Sequence, residues 1–418
     1  MTFKRLLPVF ALSAAVAACS APSTATAFTD VTLWNGTGAP AMSDMALVVD
    51  GGRIVSVVPS ADVPPVAETV SLAGKYVIPG LVEAHAHVSG EWAPEDVTAP
   101  EDRVRGDLLL YARYGVTTVN SLGDDATVLA VRDAAAPTDP RARLLAAGPV
   151  LAGDDPAAVR ADAMGNADAG VDWLKLRVDD NLGATPKMAW EAVAAVMEVG
   201  RERNVPVATH MFYLEDAKRL LELGSEMLAH SVRDTDIDAA LIASLRERGV
   251  CYVPTLVREV STFVYAERPD WFDDPFFLEH ADMAEVARVS QPAFMQRMAA
   301  SSSAAAYRVA LGQAQRNLKA LSDAGIPIAM GTDAGPAARF PGFFEHEELQ
   351  LMVDAGLTPA QALHAATGVA ADCLGRDDVG TLEPGKWADF IVLAEDPLQD
   401  IQATRTLERV YVAGQEIE

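Results

Sequence analysis

The chain has 418 residues, of which half are hydrophobic and 22% are charged, and 33 basic residues face 59 acidic ones for a formal charge of −26. This apolar half excludes an intrinsically disordered chain, and the excess of acids excludes a partner with a phosphate backbone, so we expect no nucleic acid. The length fits one large domain, or a large domain with a small companion. Three cysteines are too few for a disulfide scaffold.

The first 18 residues have the features of a secretory signal peptide. They contain two bases, Lys4 and Arg5, and no acid, followed by a mostly apolar run over residues 6–18 that is too short to span a bilayer. The sequence VAAC at residues 16–19 resembles a bacterial lipobox, in which the cysteine is lipidated and becomes the mature N-terminus. Loss of residues 1–18 would change the formal charge to −28, because two bases and no acid are removed.

The lipobox-like sequence therefore predicts an exported bacterial lipoprotein that faces the periplasm or is anchored in the outer membrane. The lipid on Cys19 would be its only contact with a membrane. The alternative is ordinary signal cleavage near Ala27, with Cys19 discarded. The small and polar residues that follow the cysteine predict a tether over residues 19–27. The other two cysteines, Cys251 and Cys373, are expected to be structural thiols, although an oxidising compartment would allow a disulfide between them.

Both ends of the chain predict short strands. Between residues 28 and 78 strand-like alternation is frequent, and an Asp-Gly-Gly turn at residues 50–52 separates two such runs. Residues 389–394 and 409–414 have the same character. Neither end has enough strands to be stable alone, so we predict that residues 28–78 and 376–418 combine into one small β-sandwich domain.

Between these ends, residues 79–375 alternate apolar strands with amphipathic helices. Two helix starts are marked by Thr185-Pro186 and by a Thr358-Pro-Ala-Gln361 capping box. Alternation of strand and helix repeated eight times predicts an α/β fold, a (β/α)8 barrel of the TIM type. The eight strand candidates are residues 76–87, 116–122, 143–151, 171–178, 205–210, 227–232, 251–257 and 326–331.

The segment after the seventh strand candidate, residues 258–303, interrupts this alternation. It concentrates aromatic residues in a chain that has only 6% of them. One interpretation is a lid or hydrophobic wall over the mouth of the barrel, and the other is an inserted helical hairpin with its own small core. The aromatic residues are Phe263, Tyr265, Trp271, Phe272, Phe276 and Phe277.

The residues that end the predicted strands are candidates for the functional site, because barrel enzymes place their chemistry at the carboxyl ends of strands. The first strand ends in His85-Ala86-His87, whose two histidines share a face because side chains alternate along a strand. The remaining candidates at strand ends are Lys175, His210, His230 and Asp333. Each has an ordinary structural explanation by itself, but four of only seven histidines at strand ends together predict a metal site.

Lys175 stands in the apolar run WLKL at residues 173–176. Burial of an ammonium group is costly and lowers its pKa, and the neutral amine can add carbon dioxide to form an anionic carbamate. A carbamate supplies a carboxylate able to bridge two cations. We therefore predict two divalent ions, with zinc favoured by the imidazole and carboxylate donors, one bound by His85, His87 and Asp333 and the other by His210 and His230.

This arrangement resembles the amidohydrolase superfamily. The His-x-His follows IPGLV at residues 78–82, and Lys175, His210, His230 and Asp333 come after it in that order. The similarity is greatest to the imidazolonepropionase-related branch, which includes metal-dependent Xaa-Pro dipeptidases. The stretches AGKYVIPG at residues 73–80 and GTLEPGKWAD at residues 380–389 are similar to those by which the family's chain passes into the barrel and back to the small sheet domain.

The resemblance implies a role for each strand-end residue. Carbamylated Lys175 is implied as the bridge between two metals, and the four histidines as their other ligands. Asp333 is implied as the catalytic residue, which also binds a metal. In this mechanism a metal-bridged hydroxide attacks the substrate, one metal polarises the scissile carbonyl, and Asp333 moves the proton to the leaving amine.

Five further residues are candidates for binding the substrate. Arg177, Arg233 and Arg258 each lie near a predicted strand end and could clamp a carboxylate, although each could equally pair with a nearby acid. Tyr213 could donate to a developing oxyanion, or only pack. His346 follows the eighth strand and could face the pocket.

The leading hypothesis is an enzyme that hydrolyses an amide or peptide-like bond of a small molecule, such as a dipeptide or an N-acyl amino acid. The same site could instead act on a lactone, an organophosphate ester or a cyclic amidine, because a fold does not fix a substrate. A surface binding protein without catalysis is the third alternative, and it would predict a missing ligand. The sequence is also compatible with a homo-oligomer.

Overall fold

The structure, a computed structural model, describes residues 24–418, so the predicted signal peptide and Cys19 lie outside the described residues. Strands of this part of the chain fall into a group at its ends and a group in its middle. They are β1 Thr26–Leu33, β2 Met42–Asp50, β3 Arg53–Pro59, β4 Glu68–Ser71, β5 Tyr76–Pro79, β6 Leu81–Ala86, β7 Val116–Ser121, β8 Arg143–Ala146, β9 Leu174–Arg177, β10 Val207–His210, β11 Met227–Ala229, β12 Cys251–Val253, β13 Phe390–Leu393, β14 Leu407–Val412 and β15 Gln415–Glu416.

Helices occupy the connections of the middle group. They are α1 Pro100–Arg113, α2 Ala126–Asp133, α3 Pro156–Asp168, α4 Trp190–Arg203, α5 Leu214–Leu223, α6 Ala239–Arg248, α7 Leu256–Ser261, α8 Pro275–Leu278, α9 Met283–Val289, α10 Pro292–Ala299, α11 Ser302–Asp323, α12 Phe343–Asp354, α13 Pro359–Ala365 and α14 Gly368–Cys373. Among residues 24–418, no helix combines the length and the apolar character needed to cross a membrane.

The strands of both chain ends join in one eight-stranded sheet. Its order is β15-β14-β13-β5-β1-β2-β3, with β4 paired to β1. The antiparallel pairing of β13 with β5 connects the two ends of the chain directly. β1 begins at Thr26, within the stretch of residues 19–27 that is predicted as a tether. The boundaries of the two predicted domains stay predictions.

The middle strands are parallel and follow one another in chain order. β6, β7 and β8 form one sheet, and β9, β10, β11 and β12 form another. Single bridges from Leu151 to Leu176 and from Tyr252 to Ile328 extend this order. The Ala84 amide then donates to the Met330 carbonyl at 3.0 Å, which brings the eighth segment back to β6. The predicted α/β barrel is therefore confirmed, with its eighth strand reduced to a hydrogen-bonded segment.

Burial separates the inside of this barrel from its outer layer. Val82, Leu122, Trp173 and Val253 belong to a cluster contributed by the barrel strands, whereas a larger cluster packs the strands against the surrounding helices. A parallel sheet covered on both faces excludes water from its strands. The carboxyl ends of these strands line the cavity that holds the candidate site.

The segment over residues 258–303 contains most of α7 and helices α8 to α10, and its aromatic residues pack in a cluster shared with α12. Tyr265, Phe272 and Phe277 are buried against Phe343 and Phe344 of α12. Phe263 belongs to a separate cluster with Phe212 and Tyr307. Within the described residues, no aromatic side chain of the segment lines the metal-site cavity, so the structure favours the inserted core over the lid.

The two remaining cysteines are bonded to each other, which corrects the expectation of unpaired thiols. The Cys251–Cys373 disulfide joins the start of β12 to the end of α14, with 5.9 Å between the Cα atoms and a sequence separation of 122 residues. The sequence could not reveal it, because only the fold brings these positions together. Disulfides are typical of proteins in oxidising compartments.

We expect this disulfide to contribute about 2–4 kcal/mol to the free energy of unfolding, since it closes a long loop in the unfolded chain. Replacing both cysteines in a Cys251→Ser/Cys373→Ser variant should lower the urea midpoint by a corresponding amount. A reducing agent should lower the midpoint of the unmodified protein and leave that of the double variant unchanged. Equal midpoints for the two oxidised proteins would contradict this stabilisation.

Candidate active site

The six predicted metal ligands lie together at the carboxyl ends of the barrel strands and line one cavity of about 290 Å³. Parallel strands bring residues that are far apart in sequence to the same edge, where barrel sites form. The residues are His85, His87, Lys175, His210, His230 and Asp333.

The first group of donors is centred on Asp333. Its Oδ1 lies 2.8 Å from Nε2 of His87 and 3.6 Å from Nε2 of His85. Nζ of Lys175 lies 3.1 Å from the same His85 nitrogen. Four side chains from three barrel segments thus direct their donor atoms to one point. The Nδ1 atom of His85 is buried without a hydrogen-bond partner in the described residues.

The second group consists of His210 and His230, whose ring centroids are 4.1 Å apart. Nε2 of His210 lies 2.9 Å from Oδ2 of Asp179, and Nδ1 of His230 lies 2.7 Å from the Thr255 hydroxyl oxygen. These contacts fix the two rings and leave Nδ1 of His210 and Nε2 of His230 available to a ligand. An outer partner that holds one ring nitrogen is the usual support of a metal-binding histidine.

The backbone around these ligands is unusual. His230, Asp333 and Thr255 all have left-handed conformations, with φ of 77°, 59° and 49°. Each such residue costs of order 1–3 kcal/mol, and strain of this kind concentrates at functional sites. The positive φ values therefore mark the carboxyl ends of the sixth, seventh and eighth segments independently of the side-chain chemistry.

Burial shifts the protonation of the site toward metal-binding forms. It lowers the pKa of Lys175 to about 7, against an opposing effect of Asp333. Burial also lowers the pKa of His210 to about 3, although the bond to Asp179 opposes the shift. For Asp333, burial alone would raise the pKa, but the Arg339 guanidinium and the neighbouring histidines hold it well below its usual value. Neutral imidazoles and an ionised carboxylate are the forms that bind cations.

The donor set passes a direct test as a metal site. Donor atoms of His85, His230 and Asp333 all lie within 4.8 Å of one another, and all three side chains are buried. Imidazole nitrogen with carboxylate oxygen suits zinc and related divalent ions. The residues present therefore fit a divalent metal.

Gly335 provides a close approach that the site requires. Its φ is +109°, and a Cβ atom there would lie 1.9 Å from the carbonyl oxygen of His87. We expect Gly335→Ala to displace His87 and to lower both metal content and activity at least about tenfold. Metal analysis of the purified variant and steady-state kinetics measure the two effects.

Gly74→Ala is the matched control, because Gly74 has φ of +78° with nothing within 4 Å of the added Cβ. It should cost only the backbone strain of about 1–2 kcal/mol and keep its metal. Full metal content and activity in Gly335→Ala would contradict the packing role of this glycine.

Two of the five predicted substrate-binding residues line the cavity. These are Arg177, at the end of β9, and Arg258, on α7. Arg258 also donates to Glu259 at 3.1 Å, so the predicted clamp and the alternative ion pair coexist. The Nε atoms of both arginines are buried without a hydrogen-bond partner in the described residues.

The structure does not bring the other three to the lining of this cavity. Arg233 is 2% exposed and donates to the carbonyls of Met211 and Ser231, which follow His210 and His230 by one residue. It therefore holds the two histidine loops together instead of facing a substrate. The Tyr213 hydroxyl donates to Asp180 at 2.9 Å.

The expectation that His346 faces the pocket is corrected by its surroundings. Its Nδ1 lies 3.0 Å from the Thr404 hydroxyl and its Nε2 lies 2.8 Å from the Tyr114 carbonyl oxygen. The side chain is buried on α12, beside the turn at residues 401–405 that carries Thr404. Both ring nitrogens are occupied by structural partners.

Sequence reasoning missed several supporting residues. Arg339 lines the cavity, and its Nη1 donates to Oδ2 of Asp333 at 2.6 Å. Oε1 of Glu83 accepts from the His85 amide at 2.6 Å and the Thr332 amide at 3.1 Å, and so joins the two segments that carry the first donor group. The sequence position could have suggested Glu83, because it precedes His85 by two residues on β6 and therefore lies on the same face of the strand. Nothing in the sequence signals Arg339, which comes from a loop.

The fold and the site define a class, the α/β-barrel hydrolases that hold metal at the carboxyl ends of their strands. Residues 76–417 match the model of the amidohydrolase family. The chain belongs to the amidohydrolase family, and it is a hydrolase with a metal-binding site. This confirms the resemblance to the amidohydrolase superfamily.

Curated relatives and a solved structure agree with this assignment. The chain is 24% identical to the imidazolonepropionase of Streptomyces avermitilis over 392 residues, covering 84% of this chain and 81% of the relative. It is 25% identical to the imidazolonepropionase of Deinococcus radiodurans, covering 90% and 92%. A crystal structure of a Xaa-Pro dipeptidase with bound methionine superposes with a TM-score of 0.74 at 23% identity, covering 94% of this chain and all of that one, and this likeness concerns the fold.

Proposed function

We propose that this protein hydrolyses the amide bond of a dipeptide or N-acyl amino acid with two divalent metal ions. The observation that carries the proposal is the arrangement of donors in two groups around Lys175. Nζ of Lys175 lies beside the first group at His85, and the rings of His210 and His230 form the second. His230 approaches His85 with 4.6 Å between ring centroids, so the two groups are neighbours.

Lys175 would join the two ions as a carbamate. Its side chain is 2% exposed, and burial keeps the amine easy to deprotonate. In the addition, Nζ forms a bond to the carbon of carbon dioxide and loses a proton to solvent, which leaves a carboxylate on the lysine. His85, His87 and Asp333 would hold one ion, and His210 and His230 the other, with zinc the favoured metal.

The bound ions would supply Lewis acidity, lowering the pKa of water and polarising the scissile carbonyl. Asp333 performs the proton transfers. It is ionised in the folded protein, so Oδ can accept the proton of the attacking water and then donate it to the nitrogen of the leaving amine. Arg339 holds Asp333 through Oδ2, which fixes the orientation of the carboxylate for this transfer.

The guanidinium groups of the cavity would bind the carboxylate of the substrate. Arg177 and Arg258 line the cavity with buried Nε atoms that make no hydrogen bond in the described residues, and a guanidinium binds a carboxylate in a bidentate manner. Leu122, Val150 and Pro336 supply an apolar wall for the remainder.

We also propose that the protein is exported, with Cys19 as a lipid anchor in the bacterial envelope. The signal-like composition of residues 1–18 supports export, and the Cys251–Cys373 disulfide supports an oxidising compartment. Metabolic labelling with a radioactive fatty acid tests the anchor. Label in the unmodified protein and none in Cys19→Ser is expected, and label in neither would contradict it.

A substrate screen tests the proposed reaction. Dipeptides and N-acyl amino acids should be hydrolysed by the metal-loaded enzyme, and lactones and aryl phosphates should be poor substrates. His230→Asn should abolish turnover, whereas His364→Asn, on α13 and outside the cavity, should retain it. Efficient phosphoester or lactone turnover without amide turnover would contradict the proposal and favour the alternative substrates.

A further inference from the structure

The cavity carries more positive charge than one substrate carboxylate requires. Although the chain has a formal charge of −26, three arginines line this cavity, namely Arg177, Arg258 and Arg339. Among its lining residues in the described part of the chain, Asp333 is the only carboxylate. Asp333 pairs with Arg339 and Glu259 pairs with Arg258, whereas no carboxylate of the described residues pairs with Arg177. Arg177 and Arg258 each keep an Nε without a hydrogen bond, so two guanidinium groups can each take a further anionic group.

The three arginines are divided between opposite sides of the barrel mouth. Arg177 ends β9, the fourth strand of the barrel. Arg258 and Arg339 follow the seventh strand and the eighth segment, and both are near Oδ2 of Asp333, at 3.9 Å and 2.6 Å. In a ring of eight segments the fourth lies across from the eighth. The metal ligands therefore lie between one guanidinium on one side and two on the other.

Hydrogen-bond capacity remains on both sides. Arg177 donates through Nη2 to Asn181, and its buried Nε has no partner in the described residues. Arg258 is 8% exposed, and its Nε makes no hydrogen bond in the described residues, although it lies 3.9 Å from Oδ2 of Asp333. Arg339 donates through Nη1 to Asp333 and through Nε to Ser261. A buried donor without a partner costs free energy that a bound anion would recover.

We infer that the substrate is a dianion with one anionic group on each side of the scissile amide. The class that meets this requirement is an amino acid acylated by a dicarboxylic acid, with a carboxylate on the acyl part and another on the amino acid part. The inference rests on the proposed amide hydrolysis. The scissile carbonyl binds at the metal site, between the two sets of arginines. One carboxylate binds on the side of Arg177, and the other binds on the side of Arg258 and Arg339. Leu122 and Val150 form an apolar part of the lining that suits an aliphatic side chain.

Four compounds test this assignment on the metal-loaded enzyme. They are N-succinyl-leucine, its monomethyl succinyl ester, N-succinyl-leucinamide, and the monomethyl ester of the leucinamide, which together remove each charge singly and jointly at nearly constant size. We expect kcat/KM to fall at least about tenfold for each charge removed, as for the loss of one charge-assisted pair. Equal turnover of the dianion and the neutral compound would overturn the inference while leaving the proposed amide hydrolysis intact.

Two variants identify which arginine binds the carboxylate at each end of the substrate. In Arg177→Gln, the ratio of kcat/KM between the compounds with and without the charge at one end of the substrate should fall below about threefold. In Arg258→Gln, the same ratio should fall below about threefold for the other end. Glu259 keeps a partner in the second variant, because Nε of Arg233 lies 3.1 Å from it. Arg308→Gln is the control, since Arg308 is exposed and lines a different cavity, and its discrimination should be unchanged.

Loss of discrimination at the same end in both cavity variants would overturn the inference, and so would a change in Arg308→Gln as large as theirs. Hydrolysis of none of the four compounds and of no dipeptide would overturn the proposed function itself. The two failures are therefore distinguishable by whether any amide is hydrolysed.

Discussion

Lys175→Met should lose at least about 100-fold in kcat/KM and most of its bound metal. Methionine matches the length and burial of lysine but cannot form a carbamate, so the carboxylate that would join the two ions is missing. The site tolerates the change sterically, because Lys175 already lies in an apolar strand with 2% exposure. Metal analysis and steady-state kinetics on the same preparation measure both effects.

Lys175→Glu is the informative companion, because it restores a carboxylate on a shorter side chain. It should recover part of the metal content that Lys175→Met loses. The control is Lys218→Met, which removes a partly exposed lysine outside the cavity that is bonded to Glu215 and Asp238. A fully active Lys175→Met enzyme with two ions would contradict the role of the carbamate.

Asp333→Asn should lower kcat by about 10²–10⁴-fold, because the amide cannot accept the proton of the attacking water. Asparagine adopts left-handed conformations more readily than most residues, so the φ of +59° at this position should persist. The loss should therefore appear without unfolding. Circular dichroism, metal analysis and a separate determination of kcat and KM distinguish lost chemistry from a lost ligand.

Asp179→Asn is the comparison for this variant. Asp179 bonds to His210 at 2.9 Å without reaching the first donor group, so its change should weaken metal binding by about 10–100-fold and leave the proton transfer intact. With metal in excess, Asp179→Asn should recover activity and Asp333→Asn should not. Recovery in both would contradict the role of Asp333 as the proton carrier.

Much of the fold could be predicted from the sequence because its local signals agree with the final structure. The capping box at Thr358 and Gln361 is formed as predicted and opens α13. The helix predicted at Thr185-Pro186 instead begins at Trp190, and residues 186–189 form no regular element. The eighth predicted strand is only a hydrogen-bonded segment, because tertiary contacts decide backbone hydrogen bonding where the local sequence pattern is weak.

The metal ligands were accessible to sequence reasoning because a parallel barrel converts strand ends into neighbours. The substrate residues were harder, since Arg233 and Arg177 look alike in sequence and only packing separates them. Arg233 is drawn inward by the carbonyls of Met211 and Ser231, whereas Arg177 remains at the cavity. Arg339 and the disulfide depend on loops and distant elements, for which the sequence carries no periodic signal.

The metal content of the purified protein tests the central claim most directly. Inductively coupled plasma mass spectrometry after growth with zinc, beside an amide hydrolysis assay, should give close to two divalent ions per chain. Chelation should abolish activity, and readdition of zinc with bicarbonate should restore it. A metal-free preparation with full amide hydrolase activity would contradict the account.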